Sequence, residues 1–441
     1  MITFSINRLL YLVVIHVSCC GVFGNNITDC ERFLLVRNSP AFIDKTWLLK
    51  KIFQHDFLLL TAPQQFGKSM NMQMIKLFSD MNSHNANTAN IFRNTNIFRD
   101  SAFVMKHFCK YPVIHCSFKP KEALVTFDDV CKGLKKAVAS AFLQHNHLLN
   151  SSKLDEERKN TFIKYSMLQV EDFELGLRFL SETLLVSHGK KVILLIDDYD
   201  YPITYSIFKK ELDSKKTADL VFRLIDNSVN LNEFLVKVVV MGSVSYSLGV
   251  EYSGVNLLQH FKFMETKDFT PYFGFTKRET KYLLAKFGLD RLEKQVFQWY
   301  GGFLYLYSDF TIYNPLSVLR FLKAREFDVY WVSIKTKTVL LDYIESYYQL
   351  REFITQLVKG DNVTIQLVDR LTRYDIENLK NEILPARFSQ EEDFAEFHLF
   401  LQVLLETGYL TFAEKHRVSP TSTKVAFPNL EIRKVFEQIL K

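Results

Sequence analysis

The sequence predicts an α/β fold with a parallel sheet, because strand-like and helix-like segments alternate through its first 270 residues. The predicted strands are residues 57–61, 111–118, 192–196, 235–241 and 261–264. The predicted helices between them are residues 68–80, 127–145, 173–187 and 220–229. The run 192–196 (VILLI) has no polar position, which is typical of a strand that helices cover on both faces.

The pattern changes after residue 270, where helix-like segments dominate. They are residues 277–287, 292–300 and 430–440, with one further strand-like stretch at 409–413. We therefore expect a sheet domain over residues 25–270, followed by a helical and winged-helix-like C-terminal region over residues 271–441. The polar stretch 81–96 and the charged stretch 153–160 predict solvated loops.

Length and composition limit the class of protein. A chain of 441 residues is long enough for two or three hydrophobic cores, and its 48% hydrophobic and 24% charged residues exclude a disordered protein. The net charge of +6 comes from 55 basic and 49 acidic side chains without a long basic block, which argues against a nucleic-acid partner. The 40 phenylalanines are expected to pack the cores.

The N-terminus has the layout of a secretory signal peptide over residues 1–24. Arg8 precedes the apolar run 9–17 (LLYLVVIHV), and Val22 and Gly24 stand just before a cleavage point at Asn25. This predicts a secreted, extracellular protein, with a buried N-terminal strand or an uncleaved anchor as the alternatives. No later segment reaches about 18 consecutive apolar residues, so no transmembrane helix is expected.

Six cysteines are present, and none belongs to a Cys-x-x-Cys motif, which argues against a zinc site. Signal cleavage would leave Cys30, Cys109, Cys116 and Cys131 in an oxidising compartment. Cys109 and Cys116 are close enough in sequence to form a natural pair, but other disulfide connectivities and free buried thiols stay open. N-glycosylation sequons, which fit a secreted glycoprotein, begin at Asn26, Asn150 and Asn362.

Residues 62–69 are Ala-Pro-Gln-Gln-Phe-Gly-Lys-Ser, between a predicted strand and a predicted helix. This is the context of a phosphate-binding loop, although Ala62 replaces the first glycine of the general pattern. We expect Gly67 to allow close backbone approach, Lys68 to reach the β- and γ-phosphates of ATP, and Ser69 to ligate Mg²⁺. The residues predicted to contact the nucleotide are Gln65, Phe66, Gly67, Lys68, Ser69 and Met70.

A second motif is the apolar strand that ends in two aspartates, residues 192–198 (VILLIDD). Asp197 is predicted to bind Mg²⁺ opposite Ser69. The next position is commonly a glutamate in hydrolysing P-loop enzymes, where it orients the attacking water. Asp198 occupies that position and is one methylene shorter. We therefore expect a weakened catalytic role for Asp198, because a misplacement of about 1 Å can cost about 100-fold in rate.

These motifs resemble the predicted AAA-ATPase-like family, whose loop usually reads Arg-Pro-Arg-Arg-Phe-Gly-Lys-Ser and whose acidic strand reads Leu-Ile-Asp-Glu-Tyr-Asp-x-Pro-Ile. Residues 195–203 match the second pattern, with Asp198 for Glu. Further matching segments are 42–46 (FIDKT), 111–114 (YPVI), 253–256 (SGVN), 273–276 (FGFT), 299–302 (WYGG), 313–319 (YNPLSVL), 330–331 (YW), 408–411 (GYLT) and 428–431 (PNLE). The resemblance implies a P-loop NTPase of the AAA (ASCE) type with ATP and Mg²⁺ as cofactors.

The chain departs from the family pattern where charge or polarity matters most. Gln64 and Gln65 replace an arginine pair, Met241 replaces a threonine, and Ser245 stands where the family has a basic residue. Met241 cannot sense a γ-phosphate as a polar residue would. Relatives commonly continue into a PD-(D/E)XK nuclease-like region soon after the position of Glu431, and nuclease activity is not expected here.

Two functions stay open on the sequence alone. One is a secreted AAA-ATPase-like protein that binds Mg-ATP and hydrolyses it slowly. The other is a catalytically dead pseudo-ATPase that acts as a secreted binding or effector protein. P-loop ATPases often assemble, so the resemblance allows a homo-oligomer, while the sequence identifies no protein partner.

Overall fold

The computed structural model describes residues 29–83, 86–209, 211–247, 257–332, 344, 348–381 and 393–441. The predicted signal peptide, the sequon at Asn26 and the segment 253–256 lie outside the described residues. The chain divides into two compact units. The sheet unit contains Asp44–Leu60 and Ser69–Phe261, and the C-terminal unit contains the residues up to Ile43, Thr61–Lys68 and Lys262–Lys441. The domain limits at residues 25, 270 and 441 stay predictions.

The sheet unit is built on a five-stranded parallel sheet in the order β2-β3-β4-β1-β5. The strands are β1 (Phe57–Thr61), β2 (Val113–Ser117), β3 (Val192–Asp197), β4 (Leu235–Gly242) and β5 (Gln259–Phe261). Every residue of β3 is buried, as are the last six of β4. Strands that are buried on both faces require helices on both sides of the sheet, and the predicted α/β fold is confirmed.

The helices of the sheet unit alternate with its strands. They are Leu48–Phe53, Lys68–Ser79, Ala86–Phe92, Ser101–His107, Phe127–Leu143, Glu156–Ser166, Gly176–His188, Tyr201–Ile207 and Ser214–Val229, with 3-10 turns at Met81–Ser83, Ile97–Arg99, Asn146–Asn150 and Phe173–Leu175. Side-chain caps fix several starts: Thr126 and Asp129 form a capping box, and the Asp213 carboxylate accepts from the Lys216 N–H.

The prediction of a solvated loop over residues 81–96 is wrong. The segment contains the helix Ala86–Phe92, and both Ile91 and Phe92 are buried in the core. The Phe92 ring contacts Phe78 edge-on, with the ring centroids 5.5 Å apart. Two apolar side chains at the end of a polar segment are enough to dock it, because each buried side chain contributes about 1.5–3 kcal/mol.

The prediction of a solvated loop over residues 153–160 is wrong from residue 156 onward. The helix Glu156–Ser166 begins after Asp155, whose carboxylate accepts a hydrogen bond from the Arg158 N–H. Its charged first turn faces solvent, while Phe162 and Tyr165 are buried. The cap and these two side chains, three positions apart on one helix face, outweigh the charged composition.

The C-terminal unit combines helices with two three-stranded antiparallel sheets, in the orders β6-β8-β7 and β10-β11-β9. The strands are β6 (Phe275–Thr276), β7 (Phe303–Leu304), β8 (Thr311–Tyr313), β9 (Val363–Gln366), β10 (Thr411–Phe412) and β11 (Ser422–Ala426). The helices are Asp29–Arg37, Lys277–Lys286, Glu293–Tyr300, Pro315–Ala324, Tyr348–Lys359, Arg373–Asn381, Asp393–Thr407 and Leu430–Ile439, with 3-10 turns at Thr270–Tyr272 and Asp290–Leu292. A winged-helix-like arrangement stays a prediction.

The cysteines do not form the disulfide that the sequence suggested. Cys109, Cys116 and Cys131 are free thiols, so the natural pair expected between Cys109 and Cys116 is not formed. Burial raises the pKa of the Cys109 and Cys116 thiols to about 12.

The sequon residues Asn150 and Asn362 are exposed. In the part of the chain that the structure describes, no helix is long and apolar enough to cross a membrane.

Candidate nucleotide-binding site

The predicted phosphate loop forms a turn between β1 and the helix Lys68–Ser79. The backbone φ angle is +63° at Gln65 and +94° at Gly67, both in the left-handed region that favours glycine. A Cβ atom on Gly67 would have no heavy-atom neighbour within 4 Å beyond the adjacent residues. The space beside Gly67 is therefore open, and a phosphate group can approach the backbone there.

The Lys68 side chain folds back over the loop from the first position of the helix. Its Nζ donates hydrogen bonds to the carbonyl oxygens of Ala62 (2.8 Å) and Pro63 (3.0 Å). The residue is 5% exposed. These contacts place a positive charge at the N-terminus of a helix, which is already an electropositive position, and this suits an anionic ligand.

The other predicted contact residues divide into exposed and buried side chains. Gln65 is exposed, and Ser69 and Met70 are half-buried in the first turn of the helix. Phe66 is fully buried, and its ring contacts Phe263 with the centroids 5.3 Å apart. Phe66 can therefore offer a ligand only its backbone, while its side chain anchors the loop in the core of the C-terminal unit.

Two hydrogen bonds from distant segments of the C-terminal unit hold the loop. The indole Nε1 of Trp331 donates to the Gln64 carbonyl oxygen at 3.2 Å, and the Gly274 N–H donates to the Phe66 carbonyl oxygen at 2.9 Å. Sequence reasoning did not assign either residue to the site. The family-like segments 273–276 and 330–331 were the signal that could have found them.

The acidic end of β3 lies in the sheet unit. Asp197 is 4% exposed, and its Oδ1 accepts a hydrogen bond from the Asp198 N–H at 3.0 Å. Asp198 is half-buried and has a left-handed backbone, with φ +51°. The chain therefore turns sharply between the predicted magnesium ligand and the predicted catalytic residue, and this turn sets the direction in which the Asp198 side chain leaves the strand.

The residues that follow Asp198 bind the segment after β4. The Tyr199 hydroxyl donates to the Val244 carbonyl oxygen at 2.7 Å, and the Val244 N–H donates to Asp200 Oδ2 at 3.0 Å. Gly242 leaves room for this contact, since a Cβ atom there would lie 2.5 Å from Asp200 Oδ1 and from the Tyr199 ring. Tyr199, Asp200 and Gly242 therefore fix the geometry of the two strand ends.

The end of β4 carries the departures noted in the sequence. Met241 is fully buried, so an apolar side chain fills the position where the family resemblance implies a threonine. Ser243 and Ser245 are also buried, with 5% and 0% of their surfaces exposed. These short hydroxyl side chains sit inside the sheet unit, where they offer little reach toward a ligand.

The strand order places the predicted magnesium ligands at one edge of the sheet. β1 and β3 are parallel and are separated only by β4, so their carboxyl ends lie at the same edge, about 10 Å apart at about 4.8 Å per strand. Asp197 ends β3, and Ser69 follows β1 after the loop. Open α/β sheets bind ligands at this edge.

The side chains at this edge suit a magnesium ion that takes most of its oxygen ligands from bound phosphate and water. Mg²⁺ is typically bound by one or two carboxylates, with phosphate oxygens and water completing its six positions. One carboxylate, Asp197, and one hydroxyl, Ser69, fit this description. Within the described ranges, no group of three or more His, Cys, Asp or Glu side chains is arranged to hold a metal ion without a ligand.

The fold and the loop define an α/β protein whose parallel sheet fits the P-loop class. Residues 29–247 match the family model described as Predicted AAA-ATPase. This match confirms the resemblance carried by the motifs, and this region of the chain belongs to the AAA-ATPase-like family.

One relative extends the similarity beyond that region. The uncharacterized protein in the vnfD 5' region of Azotobacter chroococcum mcd 1 is 22% identical over 408 residues, which cover 90% of this chain and 66% of the relative. The chain therefore spans slightly less than two thirds of that relative's length. No solved structure matches the chain.

Proposed function

We propose that the protein is a secreted AAA-ATPase-like protein that binds Mg-ATP through residues 62–69 and hydrolyses it slowly. The loop carries this proposal. It combines a left-handed Gly67 beside open space with a lysine ammonium held at the N-terminus of a helix. Backbone N–H groups, a helix N-terminus and a cation together favour a phosphate group over other ligands.

Each residue then has a distinct role. Lys68 neutralises charge on the β- and γ-phosphates, and the backbone of Gln65 to Gly67 donates hydrogen bonds to phosphate oxygens. Ser69 and Asp197 would hold Mg²⁺, which would supply positive charge to offset the negative charge of the phosphates. Met70 continues the first helical turn, whose N–H groups face the same anion.

The proposed slow hydrolysis follows from the strand ends. Asp198 is one methylene shorter than glutamate and leaves a left-handed turn, so it orients water less well than the family's glutamate would. Met241 supplies no hydrogen bond at the neighbouring strand end. Both features act on turnover and leave the loop unchanged.

Secretion is part of the proposal and rests on separate observations. The signal-peptide layout and the exposure of Asn150 and Asn362 support it. Intact-mass analysis of protein from a secreting eukaryotic host should give an N-terminus at Asn25 and glycan mass that Asn150→Gln and Asn362→Gln remove. A retained Met1 and protein confined to the cells would contradict secretion.

The second candidate function is a pseudo-ATPase that binds nucleotide or a protein partner without turnover. Asp198 and Met241 favour it, because both weaken hydrolysis specifically. Mg-dependent release of phosphate from ATP, abolished by Asp197→Ala, would rule it out. Absence of phosphate release with tight Mg-ATP binding would favour it.

We further propose that the C-terminal unit is winged-helix-like, and a nucleic-acid partner stays unexpected. The helix Asp393–Thr407 packs on β9 of the antiparallel sheet. On the last helix, Arg433 pairs with Glu437 at 3.3 Å, and the Lys434 ammonium lies 4.2 Å from the Trp299 ring centroid. Both cations are therefore engaged within the protein. A homo-oligomer stays a prediction that the molar mass in solution would test.

Titration with a fluorescent ATP analogue tests the Mg-ATP part most simply. Wild type should bind in Mg²⁺ and more weakly in EDTA, and Asp197→Ala should abolish the difference. Asp128→Ala is the matched control, because Asp128 is an exposed helix carboxylate paired with Lys132. Equal affinity in Mg²⁺ and EDTA for wild type would contradict the proposed metal site.

A further inference from the structure

Two carbonyl groups of the nucleotide loop (residues 62–69) are fixed by hydrogen bonds from residues far along the chain. Gln64 O accepts from the Trp331 indole, and Phe66 O accepts from the Gly274 N–H. In a planar trans peptide, a carbonyl group and the next N–H group point in opposite directions. These bonds therefore direct the N–H groups of Gln65 and Gly67 away from Trp331 and Gly274. Those two residues are the left-handed positions of the loop.

Trp331 is itself held at both its backbone and its ring. The N–H groups of Tyr330 and Trp331 donate to Glu431 Oε1 at 2.6 and 2.8 Å. The other carboxylate oxygen of Glu431 accepts from the Ser317 hydroxyl at 2.7 Å. Glu431 is fully buried, and its carboxylate joins the segment 330–331 to Ser317.

The packing around the indole leaves it little freedom. Trp331 is 8% exposed, and its ring stacks on Tyr409 with the centroids 5.3 Å apart and an interplanar angle of 23°. A Cβ atom on Gly408 would lie 2.8 Å from Pro63 and 3.0 Å from the Trp331 ring. Gly408 therefore allows its segment to pack closely against both the loop and the indole.

We propose that Trp331, held by Glu431, is a positioning residue that sets the shape of the nucleotide loop. The proposal rests on the proposed function insofar as the loop binds nucleotide. It assigns a role to the family-like segments 330–331, 408–411 and 428–431, which contain none of the residues proposed to bind magnesium or phosphate. The consequence is that phosphate affinity depends on side chains more than 260 residues beyond the loop in sequence.

Hydrogen exchange of the loop amides tests this without any nucleotide. Trp331→Phe keeps an aromatic ring and removes the Nε1–H donor, so amides between residues 64 and 68 should exchange about 3- to 10-fold faster, the range for one lost hydrogen bond. Trp299→Phe is the matched control, because Trp299 stacks on Phe327 and not on the loop. Equal exchange in the two variants would overturn the proposal.

Glu431 variants separate positioning from general stability. Glu431→Gln keeps an oxygen that accepts from Tyr330 and Trp331, so exchange of the loop amides should stay near the wild-type rate. Glu431→Ala removes that acceptor and should accelerate exchange as Trp331→Phe does. If Glu431→Ala does not fold, Trp331→Phe still decides the question. Faster exchange in Glu431→Gln equal to that in Glu431→Ala would contradict the assigned role.

Affinity for a fluorescent ATP analogue with Mg²⁺ distinguishes this inference from the proposed function. If wild type binds, Trp331→Phe should weaken binding by about the same 3- to 10-fold, and Trp299→Phe should not. Unchanged affinity in Trp331→Phe would overturn the inference and leave the proposed function standing. If wild type does not bind, the proposed function fails, and the exchange rates still decide whether Trp331 shapes the loop.

Discussion

The nucleotide loop and the acidic end of β3 are built in different ways. The loop has open space beside Gly67 and two exposed glutamines, and its shape is held by hydrogen bonds from the C-terminal unit. The end of β3 is buried, and Tyr199 and Asp200 bind the segment that follows β4. One region leaves open space beside its backbone, and the other is closely packed.

The departures from the family pattern follow the same division. The Phe-Gly-Lys-Ser portion of the loop is retained, whereas Asp198 and Met241 stand at the two strand ends. Phosphate binding and water orientation depend on different residues, so one can persist while the other weakens. The comparison therefore predicts nucleotide binding with slow turnover.

The largest expected effect comes from restoring the strand ends. Asp198→Glu combined with Met241→Thr should raise Mg-dependent phosphate release on the order of 100-fold, because a reach error of about 1 Å costs that much. The affinity for ATP should stay unchanged, since the loop is untouched. A steady-state phosphate assay measures this, with Asp197→Ala as the inactive control. An unchanged rate in the double variant would break the comparison.

The next effect concerns pH and the C-terminal unit. Burial raises the pKa of Glu431 from 4.5 to about 7, so the folded state binds more protons than the unfolded state between these values. The stability this group contributes is fully present below pH 4.5 and is lost as pH rises through 7. Wild type should therefore lose about 2 kcal/mol from this group between pH 5 and pH 8, and Glu431→Gln should not.

Denaturant unfolding of wild type and Glu431→Gln at several pH values measures this difference. The free energy of unfolding of the variant should depend less on pH than that of wild type. Compared with wild type, the variant should gain stability as the pH rises. Parallel profiles for the two proteins would contradict the effect assigned to burial of the Glu431 carboxylate.

The sheet unit should respond to pH in the opposite direction. The pKa of His145 is lowered from 6.5 to about 3, mainly by burial and to a smaller extent by the charges of His147, Lys76 and His188. The stability from neutral His145 is present above pH 6.5 and is lost as pH falls toward 3. Between pH 7 and pH 5 the loss should be about 2 kcal/mol.

His145→Leu should remove that acid sensitivity, as measured by urea unfolding at pH 7 and pH 5. His416→Leu is the control, because His416 is an exposed histidine of the C-terminal unit. If His145→Leu kept the wild-type slope between these pH values, another group would have to account for it.

The smallest effect is spectroscopic. Trp47, Trp299 and Trp331 are the three tryptophans of the chain, so Trp47→Phe with Trp299→Phe leaves Trp331 as the single indole emitter. Its Nε1 contacts the loop, and Mg-ATP should therefore shift its emission by a few nanometres at most. The shift should vanish when Lys68→Ala is added. If another method detects Mg-ATP binding while the emission of Trp331 stays unchanged, then nucleotide binding at the loop does not alter the surroundings of Trp331.

Much of the fold could be predicted from local sequence. β1, β3 and β4 were predicted within one residue at each end, because their apolar runs are almost entirely buried. Most strands of the antiparallel sheets were missed, since strands such as β6 and β7 contain only two residues and show no periodicity. The helix Ala86–Phe92 was missed because the stretch 81–96 is mostly polar, although Ile91 and Phe92 enter the core.

The candidate site was predictable only in part for a related reason. Lys68, Ser69 and Asp197 stand in motifs that are local in sequence, so spacing alone identifies them. Trp331 acts on a carbonyl group 267 positions earlier, and Glu431 acts through Trp331. No local pattern carries such a contact, because only the folded chain brings these residues together.

Thermal unfolding with and without Mg-ATP tests the central claim most directly, on wild type, Lys68→Ala and Lys76→Ala. Lys76 lies on the same helix and donates to Gln144 Oε1 at 2.9 Å, which makes it the matched control. At about 100 times its dissociation constant, the ligand should stabilise wild type and Lys76→Ala by about 2.7 kcal/mol and leave Lys68→Ala unchanged. The absence of a shift in wild type at millimolar Mg-ATP, or an equal shift in Lys68→Ala, would contradict nucleotide binding at the loop.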